Sequence, residues 1–173
     1  MSKKLRNFLI GLIVVLLIIG IGGTLLYKNW IKTNTPKSFP QVDGEITLPG
    51  LDAPVSIYRD EMGIPHIYAS TLHDLFMAQG YVHAQDRFWQ MDAWRHIGSG
   101  ELSSMFGEAQ VKTDAFLRTL GWKQIAEEEY AALSDESKTI LDSYAAGVNA
   151  YLGERSGTEL SLEYGVLALL SPD

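Results

Sequence analysis

Twenty consecutive uncharged residues near the start, Phe8 to Tyr27 (FLIGLIVVLLIIGIGGTLLY), constrain this chain more than any other feature. As a helix the stretch would be roughly 30 Å long, the thickness of a bilayer core. It has no polar face, which argues against a helix packed in a soluble core. A cleaved signal peptide would have a shorter apolar run and a small-x-small cleavage site. Gly20-Ile21-Gly22 is a poor version of that site, and more apolar residues follow it. An uncleaved signal anchor fits better. Each flank carries three basic residues: Lys3, Lys4 and Arg6 before, Lys28, Lys32 and Lys37 after. The chain's own amino group and the behaviour of first helices favour a cytoplasmic N-terminus. The expected organisation is a basic cytoplasmic tail (1–7), a single-pass membrane anchor (8–27), a polar tether with two prolines (28–40) and an extracytoplasmic body (41–173). Tyr27 and Trp30 sit where interfacial aromatics gather.

Charge divides the chain at the same place. Residues 1–37 hold six of the fourteen basic residues and no acid, so all 21 acidic residues fall in the remainder beside eight basic ones. An acidic body repels phosphate backbones and excludes nucleic acid as the expected partner. There is no cysteine, which removes disulfides, thiolate catalysis and cysteine-bound zinc.

The body reads as α+β. Pro49-Gly50 marks a turn. Val55 and Ile57 alternate with Ser56 and Tyr58, as in a strand with one buried face. RDEMG turns at Gly63, and IPHIY forms a second strand, with Pro65 at an edge or a strand start. Thr71 and Asp74 predict a capping box opening a helix to about Ile97, with a kink at Gly80 and a stop at Gly98-Ser99-Gly100. A helical turn over 101–106, one helix from Asp114 to Leu133 and another capped by Ser134 follow. Ile140, Leu141, Tyr144, Ala145, Val148, Tyr151 and Leu152 would form the buried stripe of that last helix. A two-stranded ribbon is marginal alone. The dearth of further strands and the loop-like ending LSPD make the chain read as incomplete.

No residue set declares a reaction. His66, His73, His83 and His96 lack metal-site spacing and read as structural or solvent-exposed. The densest polar-aromatic segment is HAQDRFWQMDAWRH (83–96). Helical spacing pairs Asp86 with Gln90, His83 with Arg87, and Asp92 with both Arg95 and His96, and places Phe88, Met91 and Trp94 or Arg95 on one side. Such a segment could line a polar cleft; a buried ion-pair network that locks a helix in place is the preferred reading. Asp60, beside Arg59, suits an Asx-type turn. Ser99, Ser103 and Ser104 have no activating context, and there is no G-x-S-x-G elbow or phosphate loop.

Three segments in order resemble the penicillin acylase (penicillin amidase) family: VSIYRDEMGIPHIYAST (55–71), DLFMAQGYVHAQDRFWQMDAWRHIGSGELSSMFGE (74–108) and LSDESKTILDSYAAGVNAYL (133–152). GYVHAQDRFWQMD is the most specific part; His96 departs from a second arginine common in the family. The resemblance implies an N-terminal-nucleophile hydrolase of αββα fold, in which a precursor cuts itself into α and β chains. A new N-terminal serine then attacks the amide carbonyl, with its own α-amino group as base. Its substrates would be N-acyl amides of the penicillin, cephalosporin or acyl-homoserine-lactone type. The matched segments correspond to the early α-chain side. The resemblance therefore places the serine, the oxyanion donors and the acyl pocket outside this chain and assigns no catalytic or metal-binding residue within it. Substrate-binding residues stay unassigned. It implies no cofactor in this chain and allows calcium in the complete protein. The expected partners are the membrane through 8–27, the missing β-chain-like portion and a small N-acyl amide substrate. The alternatives are a non-catalytic membrane-tethered binding or regulatory module and a gene remnant.

Overall fold

A computed structural model describes residues 2–153 and 155–170. The elements are α1 (Lys3–Asn34), β1 (Ser56–Arg59), β2 (Pro65–Tyr68), α2 (Leu72–Ser99), α3 (Ser103–Phe106), α4 (Val111–Leu120), α5 (Trp122–Ala132), α6 (Asp135–Gly153) and α7 (Leu162–Leu170). Three 3-10 turns join them, at Thr35–Ser38, Glu108–Gln110 and Gly157–Glu159. The arrangement is mainly helical with one two-stranded sheet, as the α+β reading expects. The ending LSPD lies, from Ser171 onward, outside the described residues.

Helix α1 starts at Ser2, whose Oγ accepts the Leu5 N–H, and it is long and apolar enough to cross a membrane. No residue in it is buried. It does not stop at Tyr27. Residues 28–34, expected in an irregular tether, continue the helix, because nothing before Pro36 removes a backbone donor. Its last turns meet the body: Trp30 lies against Gly165 of α7, and Thr158 donates to Asn34 Oδ1.

Strands β1 and β2 pair antiparallel, with Ile57 opposite Ile67 and Arg59 opposite Pro65. Pro65 therefore sits at a strand start, where its missing N–H is harmless. The expected buried face is not found. Ile57 keeps 40% of its surface and Tyr58 and Tyr68 more than half of theirs, and the ribbon's contact with α2 leaves Pro65 and Ile67 only half-buried.

The core lies between α2 and α6. Tyr81, Ala84 and Tyr151 are its buried centre, with Leu48, Phe88, Val148 and Leu160 around them. Tyr81 and Tyr151 meet edge to face at 5.5 Å, a favoured geometry for aromatic quadrupoles. The buried stripe of α6 keeps Tyr151, with Val148 packed beside it, and otherwise differs from the expected one. Ser143, Gly147 and Tyr151 form it, while Leu141 remains 48% exposed. The reason is close approach. A Cβ at Gly80 would overlap the Tyr144 carbonyl oxygen, and one at Gly147 would overlap that of Met77. Two hydrogens thus set the distance between the helices, and larger apolar side chains are turned aside. Gly80 is a contact point and not the expected kink; the only non-helical residue within α2 is Arg87 (φ −143°, ψ 20°).

The expected helix from Asp114 to Leu133 is two helices. Gly121, at φ 71°, adopts the left-handed conformation that caps α4 and opens α5. Glycine takes it without the steric cost a side chain would add. Ser134 caps α6 as expected, its Oγ accepting the Ser137 N–H.

Candidate functional site

Arg59, at the end of β1, reaches α2 and spans both Asp86 oxygens at 2.8 and 2.9 Å. The same guanidinium donates to the Gly63 carbonyl at 3.0 Å and to Gln85 Oε1 at 3.3 Å. Gln85 Nε2 in turn donates to the Gln41 carbonyl. One fork therefore fixes the ribbon, the helix and the segment entering the body. The side chains of Arg59 and Asp86 retain only 14% and 22% of their surface, so this pair is less screened than a surface ion pair. Around it lies an open cleft of about 630 Å³, walled by residues 41–48, β1 and the first half of α2, with Leu48, Tyr58, Tyr81 and Gln85 among its lining.

The pairings expected in the 83–96 segment are redistributed. Asp86 binds Arg59 and not Gln90; His83 meets Tyr144 Oη at 3.1 Å and not Arg87. The break at Arg87 alters the helical spacing on which both expectations rest. Beyond the break the spacing holds. Asp92 accepts from Arg95 at 3.0 Å, and His96 Nδ1 lies 3.3 Å from it. Tyr164 Oη donates to the other Asp92 oxygen at 2.6 Å. Burial first, and then that bond, push the Tyr164 hydroxyl far above its ordinary pKa. Phe88 packs near Tyr164 on the inner side, but Trp94 is 65% exposed. The ion pairs are not the buried network expected, since Arg95 keeps 59% of its side-chain surface; the Tyr164–Asp92 hydrogen bond is what ties α7 to α2.

Asp60 forms the expected turn: Oδ1 accepts the N–H of Met62 and of Ile64, each at 2.9 Å. The Ile64 bond leads in holding its carboxyl below the ordinary value, with His66 adding to it.

Two aspartates that the sequence places only at helix starts carry comparable roles. Asp74 and Asp114 are almost fully buried. The Asp74 carboxylate accepts the N–H groups of Asp52 and Ala53 at 2.8 and 3.2 Å. It serves the loop and not Thr71, so only half of the expected capping box forms, the Asp74 N–H donating to Thr71 Oγ1. Asp114 accepts those of Leu102 and Ser103 at 2.7 and 2.8 Å. Each carboxylate closes a loop that would otherwise bury unpaired donors. The Asp52 backbone bond leads in lowering the Asp74 pKa. For Asp114, desolvation raises the value, and the bonds from Ser103 and Leu102 outweigh it. Asp52, His73 and Asp74 also bring ligand-type atoms within 4.8 Å of one another, which their sequence spacing gives no sign of. Both Asp74 oxygens are committed to backbone donors, so the group is a loop staple.

A native carboxylate pKa below the unfolded one stabilises the fold above about pH 3.9, and that stabilisation is lost as pH falls through the lowered native value. The melting midpoint of Asp74→Asn should therefore lie below the parent's at neutral pH and converge with it in acid. Parallel curves between about pH 7 and about pH 2 would sink this account.

None of these groups is an activated nucleophile. Among the described residues no serine hydroxyl is bonded to a histidine; Ser104 Oγ, for example, donates to the Glu101 carbonyl. The arrangement can orient and brace.

A family model described as penicillin amidase matches residues 54–172. The chain belongs to the penicillin amidase family. It is 42% identical over 130 residues to the penicillin acylase 2 proenzyme of a Pseudomonas species, covering 75% of this chain and 16% of that one. It is 39% identical over 134 residues to the acyl-homoserine lactone acylase QuiP of Pseudomonas aeruginosa, with the same coverage. Among solved structures, a thermostable penicillin G acylase from Alcaligenes faecalis superposes with a TM-score of 0.60 at 34% identity, covering 66% of this chain and 62% of that one. The chain thus spans about one sixth of the length of these curated relatives. The match takes in β1, β2, α2 and α6, so the Arg59 fork and the α2–α6 contact lie within the family region.

Arg59→Ala should cost about 2 kcal/mol, because Asp86 loses a bidentate, partly desolvated partner. Arg59→Lys should recover only part of it, since an ammonium lacks the planar fork. Thermal melts of both variants in the complete protein check this; a lysine variant melting with the parent would remove the fork from the argument.

Proposed function

We propose that this chain is the membrane-anchored N-terminal portion of an acylase that hydrolyses the linear amide bond of N-acyl substrates of the penicillin, cephalosporin or acyl-homoserine-lactone type. The observation that carries the proposal is the family match over residues 54–172, together with relatives named as penicillin and acyl-homoserine lactone acylases. In this reading the nucleophile is an N-terminal serine outside residues 1–173, released by self-cleavage of a precursor with an αββα fold. Its free amine acts as the base, since an α-amino pKa lies near neutrality. Calcium, where the complete protein uses it, would bind outside this chain as well.

The chain's own part is positional. Arg59, Asp86 and Gln85 hold the ribbon and the entering segment on α2. The exposed faces of the ribbon are surface that a β-chain-like portion would cover. Helix α1 supplies the anchor, with the body on the extracytoplasmic side.

Expression of the complete gene from the native membrane tests this. The expected result is two chains by mass spectrometry, the second beginning with serine, and release of a free acid from penicillin G, a cephalosporin or an N-acyl homoserine lactone. Replacing that serine with alanine should abolish both cleavage and hydrolysis. A single intact chain with no hydrolysis would overturn the proposal in favour of a non-catalytic membrane-tethered module.

A further inference from the structure

We infer that residues 30–41 are a latched stalk: they belong to the body's own fold, and a protease frees the body from the anchor only after this segment undocks locally. The docking stands independently of the catalytic reading, and its consequence for release rests on the proposed membrane anchoring of α1.

The latch is visible first in the burial of the segment. Trp30, Ile31, Asn34, Thr35 and Ser38 are half-buried, whereas the residues between them are exposed, Lys32 and Lys37 included. Steps of one, three, one and three residues put the five on one helical face. A mobile tether has no reason to shelter one side and expose the other; a docked segment does.

Three ties hold that face and its continuation to the body. Gly165 of α7 sits in the corner between Trp30 and Thr158: a Cβ there would overlap Thr158 Cγ2 and stand 2.9 Å from Trp30 Cζ2. The turn Thr35–Ser38 packs against the turn Gly157–Glu159, where Thr158 Oγ1 donates to Asn34 Oδ1. Gln85 Nε2, from α2, donates to the Gln41 carbonyl. No run of more than three residues lies between these ties. The segment also closes on itself. Asn34 Nδ2 donates to the Trp30 carbonyl, Thr35 Oγ1 to the Ile31 carbonyl and Ser38 Oγ to the Thr35 carbonyl. These bonds brace the place where a helix end otherwise frays. Proteases cut exposed, mobile segments and reach ordered ones through local opening. Lys32 and Lys37 show their side chains to solvent, but their backbone is held in helical turns.

Lysyl endopeptidase reads the latch directly, since Lys32 and Lys37 lie inside it. The complete protein in detergent micelles is compared with a synthetic peptide of residues 28–45, and cleavage after each lysine is followed by mass spectrometry. The protein is expected to be cut after Lys32 and Lys37 about a hundredfold more slowly than the peptide, because cutting tracks the population of the open form. Trp30→Ala should restore about tenfold of that rate. Gly165→Val, which wedges Trp30 away from Thr158, should act alike. Cleavage after Lys112 and Lys123, in the body, should be unchanged by Trp30→Ala; acceleration there as well would mean that the segment opens only with the whole body and would overturn the latch. A rate within about twofold of the peptide's overturns the docking. So does protection that Trp30→Ala leaves intact, because the shield is then the helix or the micelle. Alkaline carbonate extraction of native membranes tests the anchor separately. A protein that is latched yet released by carbonate keeps the docking and refutes the anchor, and the consequence for release falls with it.

Discussion

Gly147→Leu is expected to destabilise the complete protein by about 3 kcal/mol or more and to lower its soluble yield. The carbonyl carbon of Met77 stands 2.8 Å, and the backbone nitrogen of Tyr81 2.9 Å, from where a Cβ would be built on Gly147. These are backbone atoms of α2, so no rotamer change relieves the overlap; the helices must move apart. Separation opens the buried centre where Tyr81, Ala84 and Tyr151 meet. Gly80 faces α6 in the same way, with the Tyr144 carbonyl carbon 2.9 Å from its virtual Cβ, so Gly80→Leu should act alike. Gly98 is the internal comparison. It also lies in α2, but nothing stands within 4 Å of its virtual Cβ. Gly98→Ala should therefore be neutral or stabilising by about 0.5–1 kcal/mol, from helix propensity alone. Thermal melts decide it: a Gly147→Leu midpoint within about 1 °C of the parent would show that the two helices do not owe their contact to that hydrogen.

Residues 41–170 produced as a separate polypeptide should not melt cooperatively. Among the described residues few apolar side chains are buried, whereas Ile57, Tyr58, Tyr68, Trp94, Phe116 and Trp122 remain exposed. A ribbon of two strands with most of its side chains exposed contributes little stability of its own, and large exposed apolar surface promotes association. The expected signature is helical far-ultraviolet dichroism without a sharp thermal transition, and aggregation on concentration. Supplying the remaining portion of the complete protein in trans should restore a cooperative melt. A monomeric 41–170 polypeptide with a sharp transition would show that its core suffices, and would weaken the proposal that its outer faces are built for a second chain.

Much of the framework was legible because it depends on local chemistry. The span Phe8–Tyr27, the turn at Asp60 to Gly63, Pro65 at a strand start, Thr71 before α2 and Ser134 before α6 all follow from residues acting on their immediate neighbours. The family resemblance was legible for a related reason: the segments over 55–71, 74–108 and 133–152 are continuous stretches, and the family match spans them. Local rules failed where a distant group competed. Asp74 left its own helix cap for the N–H groups of Asp52 and Ala53. Asp86 turned from Gln90 to Arg59, twenty-seven residues away, and the break at Arg87 shifted the pairings around it.

The sequence by itself determined where the apolar span lies, where α2 and α6 begin, and which family the body belongs to, since each is written in contiguous residue types. The tertiary structure alone decided that α2 and α6 touch at Gly80 and Gly147, that a fork from β1 braces α2, and that α1 continues unbroken into the body. Such contacts join residues far apart in the chain, and one glycine in an apolar helix is indistinguishable in sequence from another until the helix that presses on it is in place.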